Sequence, residues 1–400
     1  MKTAAAKNSK ENMRSVDLFS GIGGLTLALE PFVTPMVLCE IDPFCTSVLT
    51  ARMGEGRFPR APIHADVRTL HVGVLEPALV VAGFPCQDVS SLGARTGMRG
   101  SRSSLVFEVM RIVDETPSVV AVFLENVSNI VTCGGEEIVS ALVQRGFSAR
   151  WTMRAASDEG APHVRLRWFL LASRGEGAAA LADAVVQYEP TSDWPAEPDV
   201  SLLPREQQGR NWVKRMSTLG NAVVPRVARR AFVELARTAP ALHAFASMLE
   251  GSEIGGELPR SGMLVGSMVY TIHGPSPARV ARYPTPRSAN VYPTVPSDTR
   301  SDTLPTVLVS AAGAEHLAFL PDPRYVEWMM GFEADWTLVD EPEARAEHTT
   351  PTTRRRLNGM HMLMRDRPGM TISATSAAWR ALSAEQRAAY TAQARLCDIA

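Results

Sequence analysis

Four short apolar runs in the first third of the chain limit what it can fold into. They are Ser15–Phe19, Val37–Glu40, Ala78–Gly83 and Val119–Leu124. Such continuous runs are typical of strands that are buried on both faces, and stretches with helical spacing separate them here. Between the last two runs, for example, Leu105, Val109 and Ile112 fall on one face of a helix. Strands that alternate with helices predict an α/β fold with a doubly wound, mostly parallel sheet.

The rest of the chain divides by its composition. Two further apolar runs, around Trp151 and at Trp168–Leu171, predict a closing hairpin, and residues 175–211, rich in Glu, Asp and Pro, predict an irregular connector. Arg226–Ala246 has a helical pattern, whereas Pro and Ser punctuate short β-like runs beyond about residue 250. We therefore predict a flexible tail (1–13), a catalytic domain (14–246), a smaller C-terminal region (250–370) and a helical C-terminal tail (371–400).

The overall composition excludes several classes of protein. The 400 residues are 45% hydrophobic with a formal net charge of −1, which excludes a disordered chain, and no run of 18 apolar residues predicts a membrane span. The five cysteines include no CxxC pair, so neither a disulfide scaffold nor a zinc finger is expected, and no metal cofactor. The polar N-terminus lacks the apolar core of a signal peptide. We expect a non-secreted protein of the cytoplasm or nucleus.

Three features at strand ends predict a cofactor that carries a nucleoside. The loop Ser20–Gly24 is rich in glycine, so its backbone can approach a ligand closely at the start of a helix. Glu40, about twenty residues further on, suits a carboxylate that binds a ribose diol. Asp66 follows a third possible strand and could accept a hydrogen bond from an adenine amino group. The loop does not spell GxGxxG, which disfavours a nicotinamide dinucleotide without excluding it.

A cysteine and an acid follow the next two strands. Cys86, after Phe84 and Pro85, lies on a loop near a helix start, where a thiolate can be stabilised. The following strand ends at Glu125, beside that loop. A carboxyl group next to a nucleophilic cysteine suits covalent attack coupled to proton donation.

Six segments together resemble the cytosine-5 DNA methyltransferases, in the family's order and at compatible spacing. They are Asp17–Gly24 (motif I), Glu40–Asp42 (motif II), Gly83–Ser90 (motif IV), Leu124–Val127 (motif VI), Gly160–Arg167 (motif VIII) and Leu219–Pro225 (motif X). The resemblance covers about residues 14–240, with His163 where many members have Gln. It implies a Rossmann-like catalytic domain that uses S-adenosylmethionine and no metal.

The resemblance also implies roles for individual residues. Cys86 would attack carbon 6 of a cytosine flipped out of double-stranded DNA, Glu125 would protonate the ring nitrogen, and Arg165, with Arg167 behind it, would orient the base. The implied cofactor residues are Phe19, Ser20, Gly21, Gly23, Gly24, Glu40, Ile41, Asp66, Pro85 and Asn221. Phe19 would pack on the adenine and Asn221 would close the methionine side. Gln87, Ser90 and Asn126 would contact the substrate.

The chain departs from the family's order after motif VIII. Only the stretch from about 174 to 216 separates motifs VIII and X, whereas Leu320–Phe332, which leads to Trp336, is similar to motif IX and follows motif X. We therefore place target recognition in the C-terminal region, with Arg279, Arg282, Arg287 and Arg324 as candidate DNA contacts. An arginine-rich composition would also put arginines on any loop, because Lys occurs only at positions 2, 7, 10 and 214.

Three alternatives remain open at this point. The first is a methyltransferase that acts on cytosine in RNA, although Gln87 after Pro85 and Cys86 favours DNA. The second is a catalytically silent DNA-binding protein with the same fold, for which only His163 and the displaced motif IX leave room. The third is a nicotinamide-dependent oxidoreductase, which would have no use for Cys86. The chemistry needs only a monomer.

Overall fold

The structure is a computed structural model of the 400-residue chain. It describes residues 12–85, 104–189, 194–199, 202–204, 207, 209, 211–239, 251–253, 258–265, 268–271, 284–287 and 319–339. All of these residues belong to one compact unit that ends at Val339.

The described strands and helices are as follows. The strands are β1 (Met13–Leu18), β2 (Val33–Cys39), β3 (Ile63–His64), β4 (Leu79–Gly83), β5 (Ala121–Val127), β6 (Ser148–Arg154), β7 (Arg167–Ser173), β8 (Leu202–Pro204), β9 (Gly251–Glu253), β10 (Gly262–Val265), β11 (Met268–Thr271) and β12 (Phe319–Pro321). The helices are α1 (Gly24–Leu29), α2 (Pro43–Gly54), α3 (Ser104–Glu115), α4 (Gly135–Gln144), α5 (Gly177–Val185), α6 (Trp212–Asn221), α7 (Pro225–Thr238) and α8 (Pro323–Met329).

The main sheet confirms the predicted α/β fold. Its strand order is β3-β2-β1-β4-β5-β7-β6-β10-β11-β9, and β3, β2, β1, β4 and β5 run parallel. The predicted hairpin is β6 and β7, and β7 pairs antiparallel with both β5 and β6. Because the order reverses after β1, the ends of β1 and β4 flank a crevice, which is where open α/β sheets bind their ligands.

Each face of the sheet is covered by its own hydrophobic core. Val16 and Leu18 of β1 point to the face covered by α3 and α4, where Val109 and Ile112 are fully buried as predicted. The opposite face carries α1, α5 and α7, with Phe123 stacked on Phe169 at the centre. Burial on both faces explains why the strand sequences are continuous apolar runs.

Strands from the predicted C-terminal region extend this sheet. β10 pairs antiparallel with β6, and the indole nitrogen of Trp151 donates to the carbonyl oxygen of Pro259 at 2.8 Å. β11 and β9 continue the sheet outwards. The division of the chain near residue 250 remains a prediction, but main-chain hydrogen bonds cross it.

The prediction of an irregular connector was wrong for two stretches. Residues 177–185 form α5, which buries Leu181 and Val185 against α7, and residues 202–204 form β8, which pairs with β12. The Ala-rich sequence of α5 has high helix propensity, so this signal was present and outweighed by the neighbouring acids and prolines. β8 gave no local signal, because its partner lies more than 100 residues away.

No helix among the described residues is both long enough and apolar enough to span a membrane.

Candidate active site

The loop between β1 and α1 has the conformation that its glycines permit. Phe19, Gly21 and Gly23 all have positive φ angles, of 57°, 55° and 86°. The backbone N–H of Ser20 donates to the carbonyl oxygen of Cys39 at 3.0 Å, and the Ser20 hydroxyl donates to the carbonyl oxygen of Asp17 at 2.9 Å. These bonds fix the loop to the ends of β1 and β2, so that it lies at the crevice.

Glu40 ties this loop to the start of α2. One of its carboxylate oxygens accepts from the N–H of Gly21 and the other from the N–H of Asp42, both at 2.7 Å. Burial raises the pKa of Glu40, and the two amides oppose that shift. A carboxylate has about four lone-pair positions, so two amides leave acceptor capacity for a ligand hydroxyl.

Asp17 is a buried carboxyl group beneath the same loop. The Thr26 hydroxyl donates to its Oδ2, whereas its Oδ1 is buried with no hydrogen-bond partner. Burial raises the pKa of Asp17 to about 7, and the nearby charge of Glu40 raises it further, against the effect of Thr26. An unpartnered buried carboxyl oxygen is costly and suits a cationic or N–H-bearing ligand group.

The rim of the loop combines open space with close packing. A Cβ atom at Gly21 would meet nothing within 4 Å, and Ile41 is 68% exposed beside Glu40. At Gly24, by contrast, a Cβ atom would lie 2.8 Å from Val223, so the turn after α6 packs directly on the loop. Asn221, the last residue of α6, is exposed next to this turn.

Two other predicted cofactor residues have neighbours of their own. Both carboxylate oxygens of Asp66 accept from the guanidinium of Arg68, at 2.9–3.1 Å from Nε, and this pairing lowers the pKa of Asp66 to about 2. The pair is on the surface, where a ligand can replace it at little cost. Phe19 is half-buried and packs against the α3 face of the core.

The acid predicted beside Cys86 lies next to the end of β4. Glu125 pairs with Gly83 in the sheet, and a Cβ atom at Gly83 would be 3.4 Å from its Oε2. The Nε of Arg167 is 3.3 Å from its Oε1. Burial raises the pKa of Glu125, while Arg167 and then Arg165 lower it. A raised pKa favours the protonated form of this carboxyl group, which is the form that can donate a proton.

Asn126 braces the turn that leads to Cys86. Its Nδ2 donates to the carbonyl oxygen of Phe84 at 3.1 Å, and its Oδ1 accepts from the N–H of Val127 at 2.8 Å. Pro85 is exposed at the end of this turn. Cys86, Gln87 and Ser90 lie outside the described residues.

Arg165 is fully buried and faces the backbone. Its guanidinium donates to the carbonyl oxygens of Pro286 at 2.9 Å and of Gly220 at 2.9 Å, and to that of Ala222 at 2.5 Å. Burial holds its pKa well below the usual range. These three hydrogen bonds are all to main-chain oxygens, whereas Arg167 is the arginine in contact with Glu125.

His163 explains how the chain tolerates its departure from the family pattern. Its Nε2 is 2.9 Å from the carbonyl oxygen of Met329, so Nε2 carries the proton, and burial lowers its pKa to about 3. The side-chain amide of Gln could donate to the same carbonyl oxygen. The neutral ring adds no charge beside Arg165 and Arg167.

The candidate DNA contacts of the C-terminal region fall into three groups. Arg279 and Arg282 lie outside the described residues, and Arg287 is exposed. Arg324 pairs with Asp322, the N-cap of α8, at 2.8 Å. The DNA contacts of all four remain predictions.

The motif IX-like segment packs against the cofactor loop. The indole nitrogen of Trp336 donates to the carbonyl oxygen of Ile22 at 2.8 Å, and Phe332 lies within 3.5 Å of the Cβ position of Gly24. The displaced segment thus contacts motif I although about 300 residues separate them.

Sequence reasoning missed three residues of the site. Asp17 and Thr26 form the buried pair beneath the loop, and Thr285 accepts a hydrogen bond from the backbone N–H of Arg165 at 3.0 Å. Asp17 has a detectable signal, since an acid inside an apolar strand needs a partner or a ligand. Thr285 has none, because its contact depends entirely on tertiary structure. No cluster of three or more His, Cys, Asp or Glu side chains suited to a metal occurs in the part of the chain that the structure describes.

Residues 13–207 match the family model described as C-5 cytosine-specific DNA methylase. The type II methyltransferase M.CviJI of Paramecium bursaria Chlorella virus IL3A is 28% identical over 56% of this chain and 59% of its own length. The type II methyltransferase M2.BsuMI of Bacillus subtilis (strain 168) is 32% identical over 40% of this chain and 42% of its own length. The solved structure of the Entamoeba histolytica methyltransferase EhMeth is 15% identical over 52% of this chain and 67% of that one, with a TM-score of 0.38. The chain spans about half the length of these two curated relatives.

Proposed function

We propose that the chain is a C-5 cytosine-specific DNA methylase, the family whose model matches residues 13–207, and that it transfers a methyl group from S-adenosylmethionine to carbon 5 of cytosine in double-stranded DNA. One observation carries the proposal. Glu125 lies beside the end of the strand that leads to Cys86, and it is buried against Arg167. In this proposal Glu125 is the proton donor and Cys86 is the nucleophile.

The residues around the first loop fit S-adenosylmethionine. The cofactor has an adenine, a ribose diol and a cationic methionine end. Glu40 has acceptor capacity for the diol, Ile41 and Phe19 offer apolar surface for the adenine, and Asp66 is accessible for its amino group. The unpartnered Oδ1 of Asp17 suits the cationic end. Asn221 would close that end from the turn after α6. When bound, the cofactor supplies an electrophilic methyl group.

The chain's own residues would make carbon 5 of the base reactive. The Cys86 thiolate forms a bond to carbon 6, and Glu125 donates a proton to the ring nitrogen as negative charge develops there. Carbon 5 then has enamine character and accepts the methyl group. Loss of the proton from carbon 5 breaks the bond to Cys86 and restores the aromatic ring.

The two arginines of motif VIII would have different roles in the reaction. Arg167, at 3.3 Å from Glu125, steadies the charge on the base and on the acid. Arg165 would act indirectly, by holding the backbone at Gly220, Ala222 and Pro286. Gln87 and Ser90 would contact the substrate, while Asn126 would fix the turn that carries Cys86.

The target base must leave the duplex for this reaction, so base flipping is part of the proposal. Recognition of the flanking bases would fall to the C-terminal region, 250–370, and to the segment similar to motif IX. We also propose that the chain acts as a monomer where DNA is present, in the cytoplasm or nucleus.

A covalent trap tests this function. The full chain is mixed with S-adenosylmethionine and with DNA duplexes of varied sequence that contain 5-fluorocytosine, and adducts are separated on a denaturing gel. Fluorine cannot leave as a proton does, so the enzyme should remain bonded to DNA through Cys86, and Cys86→Ser should form no adduct. Trapping on fluorinated RNA alone would replace DNA by RNA as the substrate. Cofactor binding with no adduct on either nucleic acid would favour a silent binding protein.

A further inference from the structure

Arg165 connects three segments that are far apart in the chain. Its backbone N–H donates to the hydroxyl oxygen of Thr285 at 3.0 Å, and its guanidinium donates to the carbonyl oxygen of Pro286 at 2.9 Å. The same guanidinium holds the carbonyl oxygens of Gly220 and Ala222, on both sides of Asn221. Arg165 itself has a φ of 35°, a conformation that residues with a Cβ seldom adopt. The surroundings therefore hold this residue in place.

Two prolines stiffen the part of the C-terminal region that Arg165 holds. Residues 284–287 are Pro, Thr, Pro and Arg, and the two prolines restrict the backbone on either side of Thr285. Pro286 is buried, whereas Arg287, the next residue, is exposed. Hydrogen bonds from Arg165 to the Thr285 hydroxyl oxygen and to the Pro286 carbonyl oxygen thus fix the two residues directly before the exposed Arg287.

The charges around Glu125 are unbalanced. Arg165 and Arg167 bring two positive charges to one carboxylate, and Arg287 lies near enough to Arg165 to act on its charge. The two terminal nitrogens of Arg165 donate to carbonyl oxygens and Arg167 lies against Glu125, so Arg287 is the arginine of this group that is exposed to solvent. An exposed guanidinium next to a base pocket suits a phosphodiester, because its planar N–H groups match two phosphate oxygens.

Resting on the proposed function, we propose that Arg287 binds a DNA phosphate beside the flipped cytosine, and that Arg165 is the positioning residue that holds it there. The hydrogen bond between Arg165 and Thr285 links the residue that binds the phosphate to the residues around the flipped base. It also gives a buried arginine of motif VIII a role that does not require contact with the base.

The salt dependence of DNA binding tests the phosphate contact. Binding of the full chain to a mixed-sequence duplex is measured over a range of salt concentrations for the wild type and for Arg287→Gln, Arg287→Lys and Arg14→Gln. Loss of one phosphate contact should reduce the slope of log K against log salt by about one, whatever the sequence. Arg287→Lys should keep the wild-type slope.

Arg14 is the matched control. It is half exposed and lies at the start of β1, at the edge of the sheet opposite the strand ends that carry the site. Arg14→Gln removes the same charge and should leave the slope unchanged. Equal slopes for Arg287→Gln and the wild type would overturn the proposal, and so would an equal loss in Arg14→Gln.

The positioning role has its own test. Thr285→Val keeps the shape of the side chain but removes the oxygen that accepts from Arg165, whereas Thr285→Ser keeps it. We expect Thr285→Val to lower the salt slope as Arg287→Gln does, and Thr285→Ser to behave as the wild type. A wild-type slope in Thr285→Val would overturn the proposal that the bond between Arg165 and Thr285 positions Arg287.

Failure of the proposed function gives a different result. If the wild type forms no adduct with 5-fluorocytosine DNA, the methyltransferase function fails whatever the slopes show. If the wild type forms the adduct and Arg287→Gln keeps its slope, the function stands and only the phosphate contact is wrong.

Discussion

The two ends of the candidate site are built with opposite chemistry. At the cofactor end, carboxylates accept from the backbone, since Glu40 binds the N–H groups of Gly21 and Asp42. At the base end, guanidinium groups donate to the backbone, since Arg165 binds three carbonyl oxygens. Each end therefore carries a charge opposite to that of its expected ligand. The cofactor end is negative and its expected ligand is cationic, whereas the base end is positive and its expected ligand is an anionic nucleic acid.

The two half-buried glutamates, Glu40 and Glu125, show what this difference means for function. Burial raises the pKa of both Glu40 and Glu125. Backbone amides oppose the shift at Glu40, so its carboxylate is a fixed part of the loop. At Glu125 the opposition comes from the charged side chains of Arg167 and Arg165, with no backbone amide bound to the carboxylate among its causes. The first glutamate suits binding and the second suits proton transfer.

The largest expected effect is at the base end. Glu125→Gln keeps the size and the hydrogen-bonding capacity of the side chain but cannot give up a proton. Methyl transfer should fall by roughly 10²–10⁴-fold, the usual contribution of a general acid or base. The affinity for S-adenosylmethionine, measured by calorimetry, should stay at the wild-type value.

Glu40→Gln is the same type of substitution at the cofactor end, and we expect it to change binding rather than rate. One carboxylate oxygen is replaced by an NH₂ group that would face a backbone N–H. The affinity for S-adenosylmethionine should fall by roughly 10- to 100-fold, as expected when a hydrogen bond to a charged group is lost. The rate at saturating cofactor should change little. If both variants lost affinity and rate together, the two ends would not be separate in function.

A smaller effect concerns pH and the buried acid of the cofactor end. The pKa of Asp17 rises from 3.8 to about 7 on folding, so the folded chain binds more protons than the unfolded chain between these values. Asp17 therefore stabilises the fold least at high pH, and the free energy of unfolding of the cofactor-free chain should fall as pH rises from about 4 to about 7.

Asp17→Asn removes the contribution of Asp17 to the pH dependence of the unfolding free energy. Comparing the variant with the wild type therefore separates this contribution from those of other titrating groups. The difference in unfolding free energy between variant and wild type, measured in denaturant at several pH values, should grow in favour of the variant up to about pH 7. S-adenosylmethionine should reduce the difference at high pH, because its cationic end would stabilise the ionised carboxylate. A difference that does not vary with pH would remove Asp17 from the cofactor site.

The smallest expected effect tests the displaced segment. Trp336→Phe removes the hydrogen bond to Ile22 in the cofactor loop, which is worth about 1 kcal/mol. The affinity for S-adenosylmethionine should fall by up to about fivefold. Trp328→Phe is the matched control, because its indole nitrogen donates to Pro195 instead, at 2.9 Å. An equal loss of affinity in both variants would show a general loss of stability.

Local sequence determined most of the sheet and the positions of the chemical groups. Strands buried on both faces must be continuously apolar, so β1, β2, β4 and β5 could be predicted, and glycines mark the loop with positive φ angles. Glu40 and Glu125 follow strand ends, and parallel strands bring these ends to one edge of the sheet. Their neighbourhood in space is thus implied by their places in the chain.

Tertiary structure alone decided how the later segments reach the site. Four contacts join residues that lie between about 40 and 300 positions apart in the chain. They are the pairing of β7 with β5, the pairing of β8 with β12, and the hydrogen bonds of Trp336 to Ile22 and of Arg165 to Thr285. Such contacts leave no periodic pattern, because they depend on shape and on single hydrogen bonds rather than on repeated burial. For that reason the sequence predicts candidate residues for the chemistry. Only the folded chain shows that the terminal nitrogens of Arg165 donate to backbone carbonyl oxygens and that Arg167 contacts Glu125.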